Sequence, residues 1–250
     1  MTQSEKTNLS SSFKQYFSII PAFSEALKNE VYNIRHQVYC EDLKYEQTRS
    51  DKREIDSYDT QSLHILIRSN KTKEFIGCVR IIRPQPDSSD QLLPFEKSCS
   101  AVLNRSIIDP AKLPPHKIAE ASRLAIVSSY RKRKGEQNNP ANITDHDYGT
   151  AKQPRFPYIP VSLYLATFYL AHLNKIDYLF SLTEERLANH FKKLGFKIQL
   201  IGDSIEHRGN RFPSVMDVNA TINGIRPILR PLYQTISNDI MEYLSDHPNM

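Results

Sequence analysis

The chain has 250 residues, 39% hydrophobic and 24% charged, with a formal net charge of +5. Those proportions are globular and exclude disordered, collagen-like and coiled-coil classes, and the length suffices for a core without metal or disulfide staples. Cys40, Cys78 and Cys99 form no CxxC pair, which excludes a zinc ribbon or disulfide framework and suits a reducing cytoplasm.

Residues 1–12 are small and polar and read as a flexible tail, with no apolar secretory segment, ahead of a single domain over residues 13–250. Phe13–Ile20 alternates and predicts a strand. Ser24 caps a predicted helix to Tyr39, whose Leu27, Val31, Ile34 and Val38 share one face. Leu63–Arg68 and Phe75–Ile82 read as a hairpin, and Pro94–Leu103 as a short helix or loop. Lys117–Val127 reads as a strand with polar residues in its middle. Residues 135–160 hold four prolines and no period, a long loop of the kind that carries function. Val161–Leu173 is apolar all round and too short for the ~20 residues a membrane span needs, so it predicts a buried helix. Asp177–Leu182 is a strand, Thr183 caps a helix to Lys193, and Gly195 stops it. Strands at Phe196–Ile201 and Pro213–Asn219 and a terminal helix, Ile228–Leu244, complete the order.

Three constellations carry chemistry. Glu120-Ala121-Ser122-Arg123 sits inside an apolar strand, where alternation sends Glu120 and Ser122 to one face and Arg123 to the other. An ionised Glu there is costly unless paired or used, so it is either a site base or half of a buried ion pair. Val127 to Gly135, with Ser129 and the cations Arg131, Lys132, Arg133 and Lys134, follows that strand. Backbone N–H groups at such a turn bind phosphate oxygens, and the alternative is a solvated basic turn. Glu54-Ile55-Asp56-Ser57-Tyr58-Asp59 gathers carboxylates that need cations between them, with Arg35 and Arg80 as partners. It either binds an amine or is a solvated acidic loop. Asp145-His146-Asp147 lacks a further ligand, so no metal site is expected. Neither GxGxxG nor GxxxxGK[ST] occurs.

Together these segments resemble the acyl-homoserine-lactone synthases and long-chain N-acyl amino acid synthases of the GNAT superfamily, and most of all the PEP-CTERM/exosortase system-associated acyltransferases. Arg35-His36-Gln37-Val38-Tyr39 is similar to the family's Arg-x-x-Val-Phe helix, and Tyr45 stands where the lactone synthases carry Trp. Glu54-x-Asp56-x-x-Asp59, Gly77-x-x-Arg80 and Glu120-x-Ser122-Arg123 resemble its acidic triplet, strand-end arginine and Glu-x-Ser-Arg strand. Tyr39-Cys40-Glu41 and Leu93-Pro94-Phe95-Glu96 pull toward the exosortase-associated group, and Leu194-Gly195-Phe196 toward the GNAT core. The resemblance implies an α/β GNAT-like fold, a mixed, mostly antiparallel twisted sheet with helices on both faces. It implies a bacterial cytoplasmic enzyme that moves a long acyl chain from acyl carrier protein or acyl-coenzyme A to the amine of an amino acid or similar acceptor, without a prosthetic group. Glu120 and Ser122 would be catalytic; Arg35, Tyr39, Asp56, Asp59, Arg80 and Arg123 would bind the acceptor; Val127, Ser129 and Arg131 to Gly135 would bind the donor. Lys134 stands where the coenzyme A loop carries Gly, which keeps the carrier protein open as donor. Two rivals remain: a short-chain acetyltransferase of the same fold, and a non-catalytic basic regulatory or nucleic-acid-binding protein. The second needs exposed aromatics among its cations, and the basic run offers only Tyr130.

Overall fold

The computed structural model describes residues 3–85, 92–131, 149–150, 153–154 and 156–248. In chain order the elements are α1 (Gln3–Tyr16), β1 (Phe17–Pro21), α2 (Glu25–Arg35), β2 (Ser62–Ser69), β3 (Phe75–Ile82), α3 (Pro94–Cys99), β4 (Ile118–Ile126), β5 (Gly149–Thr150) and β6 (Gln153–Pro154). Then come α4 (Tyr158–Leu173), β7 (Tyr178–Thr183), α5 (Glu185–Leu194), β8 (Ile198–Leu200), β9 (Ile205–Glu206), β10 (Asn210–Asp217), α6 (Val218–Gly224) and α7 (Arg230–Asp246). No helix among the described residues is long and apolar enough to cross a membrane.

An eight-stranded sheet runs β1-β2-β3-β4-β7-β10-β8, with β9 on β10. Every pairing is antiparallel except β4 with β7. Strand alternation sorts the sheet's side chains into two cores. On β7, Leu179 enters the large core with Phe168 and Leu165 of α4, while Phe180 enters a smaller one with Phe95 of α3. The Phe95 and Phe180 rings stack at 4.7 Å. Helices therefore cover both faces, as expected.

Most element ends obey their local signals. The Ser24 side chain accepts the Leu27 N–H at the start of α2. Gly195 closes α5 at φ +96°, where a Cβ would meet the Gly224 carbonyl at 2.3 Å. Several boundaries differ from the sequence reading: Val218 and Asn219, read as strand, open α6, Tyr158–Pro160, read as loop, open α4, and three further differences are larger. The stretch read as tail and strand start lies in α1, where Phe13 is fully buried and Ser10 pairs with Thr235 of α7, so the strand begins only at Phe17. Thr183 ends β7 instead of capping α5, and its hydroxyl joins Ser181 and Ser214 in a buried triad. Helix α2 widens after Arg35 into a π-helical turn, His36–Asp42, a distortion common at functional sites.

Two irregularities in β4 shape the site. Arg80 pairs with Ser122 and Cys78 with Ala125, so Val79 alone faces both Arg123 and Leu124. That is a bulge with one extra residue, and Arg123 sits in it at φ +49°. Farther along, β4 pairs with β7 only over Ile118–Glu120 against Tyr178–Phe180. Beyond Glu120 the two parallel strands part, and their facing edges form no ladder with each other.

Candidate active site

Glu120 lies at the apex of that wedge, 5% exposed, and accepts the Phe95 N–H at 2.8 Å. Burial pushes its carboxyl up to about 7, and the Phe95 hydrogen bond and the Arg80 and Arg123 charges only partly oppose this. No cation forms a salt bridge with Glu120 among the described residues. A carboxyl raised to about 7 by burial suits proton exchange near neutral pH, and the ion-pair alternative finds no partner among the described residues.

Ser122 accepts the Arg80 Nε–H at 3.1 Å, so its hydroxyl orients a guanidinium. Among the described residues no hydrogen bond joins it to a histidine, so the geometry suits positioning and not nucleophilic attack. Arg123 corrects the alternation argument: the bulge turns it toward the acidic segment that Arg80 also meets. Its guanidinium lies 3.1 Å from Glu54, 3.1 Å from Glu46 and 3.6 Å from Asp56, above the Tyr39 ring at 5.3 Å. An arginine at positive φ is strained by about 1–3 kcal/mol, which these carboxylates offset.

The acidic segment is not a solvated loop. Arg35, fully buried at the end of α2, reaches Glu54 and forks onto Asp59 at 2.6 and 3.1 Å. Arg80 bridges Asp56 at 2.7 Å and Asp59 at 2.9 Å. The Asp56 N–H also donates to Asp59 at 2.8 Å. Burial alone would raise Asp59, but the Arg35 hydrogen bonds and the charges of Arg35 and Arg80 outweigh it and hold the carboxyl at about 2. Both Asp59 oxygens are thus taken by protein donors, so Asp59 locks the cluster and has no oxygen open for an acceptor. Asp56, 27% exposed, is the member of the segment that faces outward.

Tyr39 is buried under Arg123 and donates to the Leu124 carbonyl at 3.0 Å. Its hydroxyl props the bulge. Val127 is buried, Ser129 is exposed, and the Tyr130 and Arg131 N–H groups return to the Val127 carbonyl in the turn after β4. Arg131 is drawn inward to Asp42 of the π-helical turn. Lys132, Arg133, Lys134 and Gly135 lie outside the described residues, as does Asp145-His146-Asp147. No group of three metal-ligating side chains occurs among the described residues.

Three members of the cluster had no sequence signal that would single them out. Glu46 bridges Arg123 and Arg208, and Arg208 sits on the β9–β10 turn above the Tyr45 ring. His64, opposite Arg80 on β2, is fully buried 3.7 Å from Asp59, and burial lowers it to about 4, so it is neutral. Glu54 was visible in the acidic triplet, but its role as the hinge between Arg35 and Arg123 was not.

A wedge between parting parallel strands, a bulged β4 and a carboxyl at its apex make up the frame of the site. Residues 34–138 match the acetyltransferase (GNAT) domain family. Over that span the chain is similar to a GNAT acetyltransferase-type domain. Solved structures share its fold over most of both chains. The acyl-homoserine-lactone synthase LasI matches at TM-score 0.55 and 20% identity, over 85% of this chain and 98% of that one. BjaI, a coenzyme A-dependent acyl-homoserine lactone synthase solved with SAM and isopentyl-CoA, matches at 0.54 and 18%, over 94% and 90%. FeeM, an N-acyl amino acid synthase from uncultured soil microbes, matches at 0.54 and 14%, over 86% and 98%. No protein of curated function matches the sequence. The GNAT-type domain and the shared fold support an acyltransferase, and neither extends to the exosortase-associated group.

Proposed function

We propose that this GNAT-type domain transfers a long acyl chain from a thioester of coenzyme A or acyl carrier protein to the amine of an amino acid or similar small acceptor. The observation that carries the reading is Glu120, a buried carboxyl with no cationic partner among the described residues, raised to about 7 where β4 and β7 part. The unpaired strand edges of the wedge present main-chain N–H and C=O groups to an extended, amide-bearing arm such as pantetheine. The amine nitrogen attacks the thioester carbonyl, a C–N bond forms, the C–S bond breaks, and the thiol leaves. Glu120, ionised, takes the proton the nitrogen loses and returns it to the departing sulfur. Holding donor and amine in line replaces a covalent enzyme intermediate and supplies several kcal/mol. Arg80 and Arg123, fixed by Ser122, Asp56 and Glu54, set the electrostatics of the acceptor side.

The purified chain, given a long-chain acyl-coenzyme A or acyl carrier protein and mixed amino acids, is expected to yield N-acylated products by mass spectrometry. Absence of any acylated amine with either donor defeats the reading, and acetylated products alone favour the short-chain rival. The two donors are told apart by reversing charge in the basic run. Arg133→Glu with Lys134→Glu is expected to lower kcat/KM with the carrier protein far more than with coenzyme A, because a run of cations steers an acidic protein. Equal losses mean that the run meets only the arm common to both donors.

A further inference from the structure

We propose that Arg208, on the β9–β10 turn, reads a carboxylate of the acceptor, and that Glu46 occupies that guanidinium while the site is empty. The proposal rests on the amine-acyltransfer reading above and adds the residue that selects the acceptor's chemical class.

The four guanidiniums of the cluster are not equivalent. Arg35 is fully buried with Nε and both terminal nitrogens on carboxylates. Arg80 is 2% exposed and divided among Ser122, Asp56 and Asp59. Arg123 meets three carboxylates from a strained bulge position. Removing Arg35 or Arg80 from its partners would leave a buried charge uncompensated, and Arg123 would lose three carboxylates at once. Arg208 differs in exposure and in the number of its partners. Its side chain is 26% exposed, and among the described residues its one ionic partner is Glu46, reached through a single terminal nitrogen. That carboxylate oxygen is shared with Arg123, so Glu46 keeps a cation when Arg208 lets go.

The turn suits the role. Arg208 and Gly209 take φ +55° and +98°, and the Arg208 guanidinium rests over the Tyr45 ring at 5.3 Å. A guanidinium laid on an aromatic face keeps its N–H edge for a planar, bidentate carboxylate. Asp56, partly exposed, remains nearby to receive an ammonium.

The test compares free α-amino acids with their amides as acceptors. In the wild type the acids are expected to show the lower KM. Arg208→Gln should raise KM for the acids roughly ten- to a hundredfold, the loss of one charge-assisted contact. It should leave kcat and the amides nearly unchanged, and Arg208→Lys should recover part of the loss. Glu46→Gln discriminates further: a competitor for Arg208, once neutralised, should lower KM for the acids, whereas a mere brace would make the Glu46 and Arg208 variants behave alike. Equal effects on acids and amides, or an unchanged KM for acids in Arg208→Gln, overturn the proposal. If the wild type acylates no amine, the acyltransfer reading is what fails. Saturation-transfer NMR with the same acids and amides then decides Arg208: binding of acids that Arg208→Gln abolishes upholds it, and no preference for acids sinks it.

Discussion

Replacing Glu120 with Gln is expected to lower kcat by about 10²–10⁴-fold, the usual worth of a general base. Gln keeps the shape and an oxygen for the Phe95 N–H, so the fold around α3 is retained. In the wild type, kcat/KM should rise with pH through about 7 as the buried carboxyl ionises, and the Gln variant should lose that limb. Stability supplies an independent sign. The folded carboxyl is raised from 4.5 to about 7, so the unfolded chain ionises first as pH rises. The native state therefore loses stability between roughly pH 4.5 and 7, by about 3 kcal/mol in all. The Gln variant escapes this loss, so its melting temperature relative to wild type should climb across that window. A variant with near-normal kcat and an intact pH limb would reduce Glu120 to a prop for Phe95.

Arg35→Ala is the largest stability change expected. It leaves Glu54 to Arg123 alone and Asp59 to Arg80 alone beside a buried cavity, and breaking a buried pair costs about 3–5 kcal/mol. For a chain of this size that is roughly 6–20 °C in Tm. The acid limb should move as well. Asp59 is held at about 2 against an ordinary 3.8, so its contribution is fully present above pH 3.8 and is lost as pH falls through about 2. Without Arg35 the carboxyl returns toward its ordinary range, and acid unfolding should begin at higher pH. Calorimetry between pH 2 and 7 reads both effects. A loss below about 1 kcal/mol would mean that Arg80 alone holds Asp59.

The balance of this cluster also explains why so polar a region tolerates burial. Arg35, Arg80, Arg123 and Arg208 face Glu46, Glu54, Asp56 and Asp59, so no net charge is buried. What remains open to solvent is its rim, where Asp56, Arg123, Glu46 and Arg208 alternate in sign.

Elements with a strong local period were determined by sequence alone: α2 behind the Ser24 cap, the β2–β3 hairpin, the apolar α4, and α5 with its Gly195 stop. Each is written in neighbouring residues, by spacing, capping or a glycine that only a left-handed stop requires. Helix α1 was not legible, because its polar sequence is held by contacts with α7, of which Ser10 with Thr235 is one. The candidate site divides the same way. Glu120, Arg35, Arg80 and the acidic triplet stood out because charges in apolar strands and helices need a reason. Arg35 and Arg80 were legible as partners of the triplet, but which carboxylate each takes, and the contact of Arg123 with Glu46 across 77 residues, are decided only by packing. The bulge at Arg123 defeats the alternation rule, since one extra residue in a strand reverses the face of each later side chain. Arg208 enters last, and only through the tertiary structure: a lone arginine on a hairpin tip carries no signal until the fold sets it against Glu46 and Tyr45.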